Sequence, residues 1–166
     1  MKRLFSLLLC VSVLYVAGCG GVQKPAGMPA LHPTTLTFTQ GGAPLADAGV
    51  TLTALEVANS QWSLGGTTDS KGVLRVQTQG FNGAPAGNYK VVVSKTETEG
   101  TAEVVEITNH DAPPVATNNT KTFYLVDKKY RSAGTTDLTL EVKSGKNAQT
   151  YDLGAAVREE IPVYRD

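Results

Sequence analysis

Two cysteines and two histidines in 166 residues leave little material for a disulfide framework, thiol chemistry or a zinc site. Surplus positive charge is missing as well, because 15 lysines and arginines meet 15 aspartates and glutamates for a formal net charge of +0. A nucleic-acid binder neutralises phosphates with a clustered cationic excess, so no nucleic-acid partner is expected. Charged residues make up only 18% of the chain, below the roughly 25% typical of soluble domains. Long helical runs are lacking beyond residue 18, since 17 glycines and 8 prolines punctuate the sequence, and an α-rich enzyme fold is thereby disfavoured. What is present is a 41% hydrophobic chain of ordinary single-domain length.

The first segment reads as an address. Lys2 and Arg3 precede an apolar stretch, LFSLLLCVSVLYV at 4–16, which has the form of a charged n-region and an h-region. It falls short of the roughly 20 apolar residues that cross a bilayer comfortably. The following VAGC at 16–19 resembles the lipobox of bacterial lipoprotein signals, with Val16 where leucine is commoner. The resemblance implies a signal peptide over 1–18, removed on export, and lipid on Cys19. It also implies a mature protein anchored in the bacterial cell envelope and facing outside the cytoplasm, at the periplasmic face or the cell surface. Cys10 leaves with the signal, so no thiol pair remains. Residues 19–33 then form the lipidated cysteine and a flexible tether. Its sequence GGVQKPAGMPALHP at 20–33 is rich in Gly, Ala and Pro and reaches on the order of 45 Å when extended, at about 3.3 Å per residue.

After Pro33 the apolar period becomes two, the signal of half-buried strands. In TTLTFTQ, Leu36 and Phe38 face inward and the threonines outward; VTLTALEV at 50–57 and WSLGGTT at 62–68 follow. Leu74 and Val76 mark the inner face of GVLRVQTQ, and Tyr89, Val91 and Val93 that of NYKVVVSK. EVVEI at 103–107 and TFYLV at 122–126 come next. DLTLEVKS, with Leu138, Leu140 and Val142 inward, is joined to NAQTYDLG through Ser144, Gly145 and Lys146. The expected fold is all-β, a β-sandwich of seven to nine short strands over 34–154. Its C-terminal tail, 155–166, either adds an edge strand or packs Val157, Ile161 and Val163 on the body. Asp69-Ser70-Lys71-Gly72 reads as a tight turn with an Asp cap and a glycine at positive φ. A calcium loop would want acids where Lys71 stands.

Four blocks together resemble the carboxypeptidase regulatory-like domain, a transthyretin-like Greek-key sandwich. They are GGAPLADAGVTL at 41–52, GTTDSKGVLRV at 66–76, GAPAGNYKVVVSK at 83–95 and VDKKYRSAGTTDLTLEVKSGKN at 126–147. In the last block Asp127 stands where such lipoproteins usually carry proline, and Gly49 is an extra residue before Val50. The resemblance implies a non-catalytic module of the cell envelope.

Residues able to do chemistry are few. His110 lies in ITNHDAPPVATNNTK without a His or Cys at ligand spacing, so neither a metal nor another cofactor is expected. Lys128, Lys129 and Arg131 cluster around Tyr130; so few charges read first as a solvated turn, with contact to anionic glycan or lipid headgroups as the functional alternative. The expected function is a lipid-anchored structural or protein-interaction module with no enzymatic activity, its partners the membrane and an envelope protein or glycan. The alternative is carbohydrate or small-ligand binding through Trp62, Tyr124, Tyr130 and the long loop at 108–122, where His110 lies. A hydroxyisourate-hydrolase reading, suggested by Tyr130-Arg131-Ser132 and the terminal Tyr164-Arg165-Asp166, fails because the family's terminal Gly and Ser are absent and Thr35 stands where its first-strand histidine belongs.

Overall fold

The computed structural model describes residues 23–100, 102–104, 116–118 and 120–162; the signal segment, Cys19 and His110 lie outside them. The fold is an all-β sandwich with eight strands of four residues or more among the described residues, and two short 3-10 turns, Val57–Asn59 and Lys128–Tyr130.

The smaller layer is built on Thr34–Gln40, where alternation buries Leu36 and Phe38 completely. Asn147–Asp152 lies parallel to this strand, with Tyr151 opposite Phe38, and Val73–Arg75 lies antiparallel on its other side. The larger layer is antiparallel. Thr139–Val142, Gly87–Ser94, Gly49–Ala54, Leu64–Thr67, Gln77–Thr78 and Phe81–Asn82 follow one another across it. Val50, Leu52, Tyr89, Val91, Val93, Leu140 and Val142 point from this layer into the core that Leu36, Phe38, Leu74 and Tyr151 fill from the other. The Phe38 and Tyr151 rings stack with centroids 5.3 Å apart.

Two connections hold the layers together. Leu74 and Val76 are both buried, as the alternation predicts, yet the strand changes layers between them. Val73–Arg75 pairs with the smaller sheet and Gln77–Thr78 with the larger. Val76 sits at the corner, where its N–H donates to the Thr34 carbonyl and its carbonyl accepts from Gly83 N. On the opposite side, Ser144–Lys146 does not close a hairpin between its two flanking strands; it carries the chain from one layer to the other, and the arriving strand pairs parallel with Thr34–Gln40. The Tyr151 hydroxyl donates to the Thr139 carbonyl at 2.8 Å and bridges the layers there.

Thr68 closes the near end of the 49–67 ribbon. Its hydroxyl donates to the Leu45 carbonyl at 2.7 Å and accepts from Ala48 N at 2.9 Å, both inside the protein. Thr68→Val keeps the shape and strands both partners, so urea denaturation should show a loss of about 1 to 3 kcal/mol. A variant as stable as the parent would contradict this account of the turn.

A third, three-stranded sheet extends the sandwich. Thr96–Glu99 pairs with Lys121–Tyr124, and the tail strand Glu159–Glu160 covers the other edge of the latter. The tail therefore adds an edge strand; Val157 and Ile161 are half-buried, and Val163 lies outside the described residues. The segment expected as a long loop at 108–122 is partly strand, because Ala116–Asn118 pairs with Ala102–Val104.

The ends of the sandwich differ. Leu31–His32, expected within the flexible segment 19–33, is instead a short strand that pairs with Ala84–Pro85, close to the start of Gly87–Ser94. Gly87–Ser94 then runs to the opposite end, where Thr96–Glu99 and its partners begin. The Leu31–His32 strand thus lies at one end, and the three-stranded sheet projects from the other.

Candidate functional site

At the end remote from Leu31–His32, Ser94, Tyr124, Lys128, Arg131, Ser132, Thr135 and Glu159 line an open cleft of about 520 Å³. That size suits a small ligand or the side chains of a partner. The local chain explains the arrangement. Asp127, standing where proline was expected, caps the Lys128–Tyr130 turn by accepting from Lys129 N at 2.9 Å. The turn rotates Tyr130 into the core and leaves Lys128 exposed at the cleft's margin. Thr135 secures the returning chain, its hydroxyl donating to the Lys129 carbonyl at 2.8 Å.

Arg131 organises the cleft. Its guanidinium lies 3.8 Å from the centroid of the Tyr124 ring and donates to Glu159 of the tail strand. The side chain is only 14% exposed, and its Nε is buried without a hydrogen-bond partner. Lys128 makes no ion pair among the described residues, so its ammonium is available to an incoming acceptor.

The other face of the small sheet is a lattice of charges. Arg158 stacks over Phe123 at 3.7 Å and reaches Glu97 and Glu99, while Lys121 pairs with Glu160 at 3.2 Å. The hydrogen bond from Arg158 holds the Glu99 carboxyl below its ordinary value. These pairs are exposed, and each contributes little in water. Adjacent Glu159 and Glu160 point to opposite faces, as strand geometry requires, but both are paired rather than free in solvent.

Of the residues singled out in the sequence, Tyr124, Lys128 and Arg131 converge. Lys129 does not join them. It lies over the Tyr130 ring at 4.4 Å and 3.8 Å from Asp137, and the Tyr130 hydroxyl, followed by the nearby acids, raises its pKa. Tyr130 is a core residue, so its expected contact with a ligand is corrected: it supports the turn beneath the site. Trp62 is half-buried against the core, with its indole N–H buried and unpartnered. It follows the loop that leaves Ala54 at the tether end, so Trp62 and Tyr124 do not form one platform. His110 lies outside the described residues. Sequence reading missed Ser94, Ser132, Thr135 and Glu159. Only Ser132 carries a local signal, its place directly after Arg131; Glu159 reaches the cleft solely through tail pairing 28 residues away.

Among the described residues no three His, Cys, Asp or Glu side chains group as a metal site, and no helix is long and apolar enough to cross a membrane. No family model matches the chain, and neither a curated protein nor a solved structure does so.

Proposed function

We propose that this chain is a lipid-anchored protein of the bacterial cell envelope, held through Cys19, whose non-catalytic sandwich is a protein-interaction module. The lipobox-like VAGC and the tether behind it support the anchor. One geometric observation carries the interaction reading: the cleft of Tyr124, Lys128 and Arg131 opens at the end opposite the tether, the end an anchored module presents outward. Its cations and hydroxyl groups suit a partner surface bearing carboxylates. The likeness of the four sequence blocks to carboxypeptidase regulatory-like domains supports the same reading, because such modules accompany other activities rather than perform them.

Carbohydrate binding is the second reading, favoured by an aromatic ring among hydroxyl groups. Against it, Arg131 already covers one face of Tyr124 and leaves less of that ring for stacking on a sugar.

A photo-crosslinking residue at Ser132, compared with one at Thr37 on the smaller sheet, separates these readings in cells. The expected result is a discrete protein adduct at Ser132 alone, reduced about tenfold by Lys128→Gln, equivalent to about 1.4 kcal/mol for a charged hydrogen bond. Glycan adducts at Ser132 would transfer the site to the second reading. Identical patterns at both positions would sink the proposal that the cleft is the working face.

A further inference from the structure

We infer that the end of the sandwich where the tether enters makes a second, direct contact with an anionic lipid surface, Leu55 and Val57 entering the interface while Arg75 and Lys146 receive lipid phosphates. The inference rests on the lipid-anchored reading above and adds to it how the folded body sits on its membrane.

Leu55 and Val57 are the exposed large hydrophobic side chains among the described residues, at 57% and 87%. Both belong to the loop that leaves the Gly49–Ala54 strand, and hydrogen bonds place that loop beside the tether. Leu55 N donates to the Asn88 carbonyl, and Asn59 Nδ2 donates to the Ala86 carbonyl at 3.0 Å. The neighbouring Ala84–Pro85 is the segment that pairs with Leu31–His32. A valine at the apex of a 3-10 turn gains nothing in water; at a membrane interface each buried methylene contributes about 0.8 kcal/mol.

The second element is a cavity of about 580 Å³ at the root of the tether. Arg75 and Lys146 supply its cations, Asn82 adds a side-chain amide, and Pro33, Val76 and Ala148 form apolar lining. No acidic residue lines it, and among the described residues neither cation makes an ion pair, although the charge of Arg75 is felt by Asp69, whose pKa it helps the Val73 and Lys71 N–H groups to lower. Two acids lie near this end, and Glu56, between Leu55 and Val57, stays ionised there because its pKa is lowered. Glu56 accepts from Asn88 N and Nδ2, which hold its carboxyl below the ordinary value, and Glu141 pairs with Lys143 at 3.2 Å. Most cations of the remote sheet, by contrast, are paired with its own glutamates. An anionic surface therefore finds cations outside any ion pair, flanked by aliphatic side chains, at the same end as the anchor, the combination that interfacial contact uses.

Trp62 is the only tryptophan and closes the same loop, its backbone N–H donating to the Asn59 carbonyl at 3.2 Å, so it reports on this end without a label. The lipidated mature protein is reconstituted in equimolar phosphatidylethanolamine and phosphatidylglycerol vesicles carrying lipids brominated near the headgroup. Trp62 fluorescence should be quenched. Quenching should vanish for Leu55→Asp combined with Val57→Asp. Arg75→Gln combined with Lys146→Gln should lower the docked-to-undocked ratio about 30-fold, the equivalent of about 2 kcal/mol for two cations, and have no such effect in pure phosphatidylcholine. Mass spectrometry of the same sample separates the two levels of the argument. Lipid on Cys19 with unquenched Trp62 overturns the contact and leaves the anchor standing, whereas an unmodified Cys19 overturns both. Quenching that survives the aspartate variants also overturns the contact.

Discussion

Gly72→Ala should destabilise the sandwich by about 3 to 5 kcal/mol, at the upper end of what single substitutions do. Gly72 has φ of +72°, and a β-carbon there would stand 2.3 Å from the Phe38 carbonyl oxygen and 3.0 Å from Leu45 N. Both obstacles are backbone, and they are bonded to each other, Leu45 N donating to the Phe38 carbonyl at 2.9 Å. No side chain can swing aside to make room. The turn is fixed from the other direction too, because Asp69 accepts from Lys71 N and Val73 N, and the Gly72 carbonyl accepts from Phe38 N. Alanine must therefore displace the central strand of the smaller sheet or abandon the turn. Gly80→Ala is the matching control: its φ is +85°, but nothing lies within 4 Å of the added carbon, so only conformational strain of about 1 kcal/mol is expected. Urea denaturation of the two variants should separate them by at least about 2 kcal/mol; equal losses would refute the packing argument.

Alkali should unfold the protein through two buried phenols. Tyr89 donates to the Pro85 carbonyl and Tyr151 to the Thr139 carbonyl, each at 2.8 Å. Burial pushes both up to about 12, helped at Tyr89 by the charge of Glu56. In the unfolded chain the same groups ionise near 10. The folded state retains its protons longer, so the stabilisation is fully present below about pH 10 and is lost as pH rises towards about 12. Each tyrosine contributes a slope of at most about 1.4 kcal/mol per pH unit across that window. Stability measured by denaturant at about pH 9, about pH 10.5 and about pH 11.5 should trace this fall. Tyr151→Phe should halve the slope. A flat profile through the window would contradict the burial of both hydroxyls.

The strands that define the core were legible because alternation is a local signal. Leu36 and Phe38, or Tyr89, Val91 and Val93, need only a half-buried strand to be read as inward, and the structure buries all five. The 69–72 turn was legible for a similar reason, since the Asp cap and the glycine act within four residues. Pairing was not legible. Nothing in NAQTYDLG states that it joins Thr34–Gln40 in parallel rather than its sequence neighbour, because the ladder and the stacking of Tyr151 on Phe38 join residues far apart in the chain. The corner at Val76 was hidden too: a strand that changes layers keeps its inward residues inward, so Leu74 and Val76 look the same as in a straight strand.

The site divides along the same line. Tyr124, Lys128 and Arg131 were found through local clustering of charge and aromaticity. Tyr130 was misassigned because the turn capped by Asp127 decides which of four consecutive residues points inward. Glu159 escaped because its role depends on a tail strand pairing with Lys121–Tyr124. Trp62 carried an aromatic signal of the kind a ligand platform gives, but packing against the core explains it.

The proposed anchor gives both the outward cleft and the lipid contact their direction. Intact-mass and N-terminal peptide analysis of the protein isolated from its native membrane tests it directly. The account predicts a mature chain beginning at Cys19 and carrying lipid on it, with Cys19→Ala released from the membrane fraction. An unmodified Cys19, or an N-terminus formed at another residue, would contradict it.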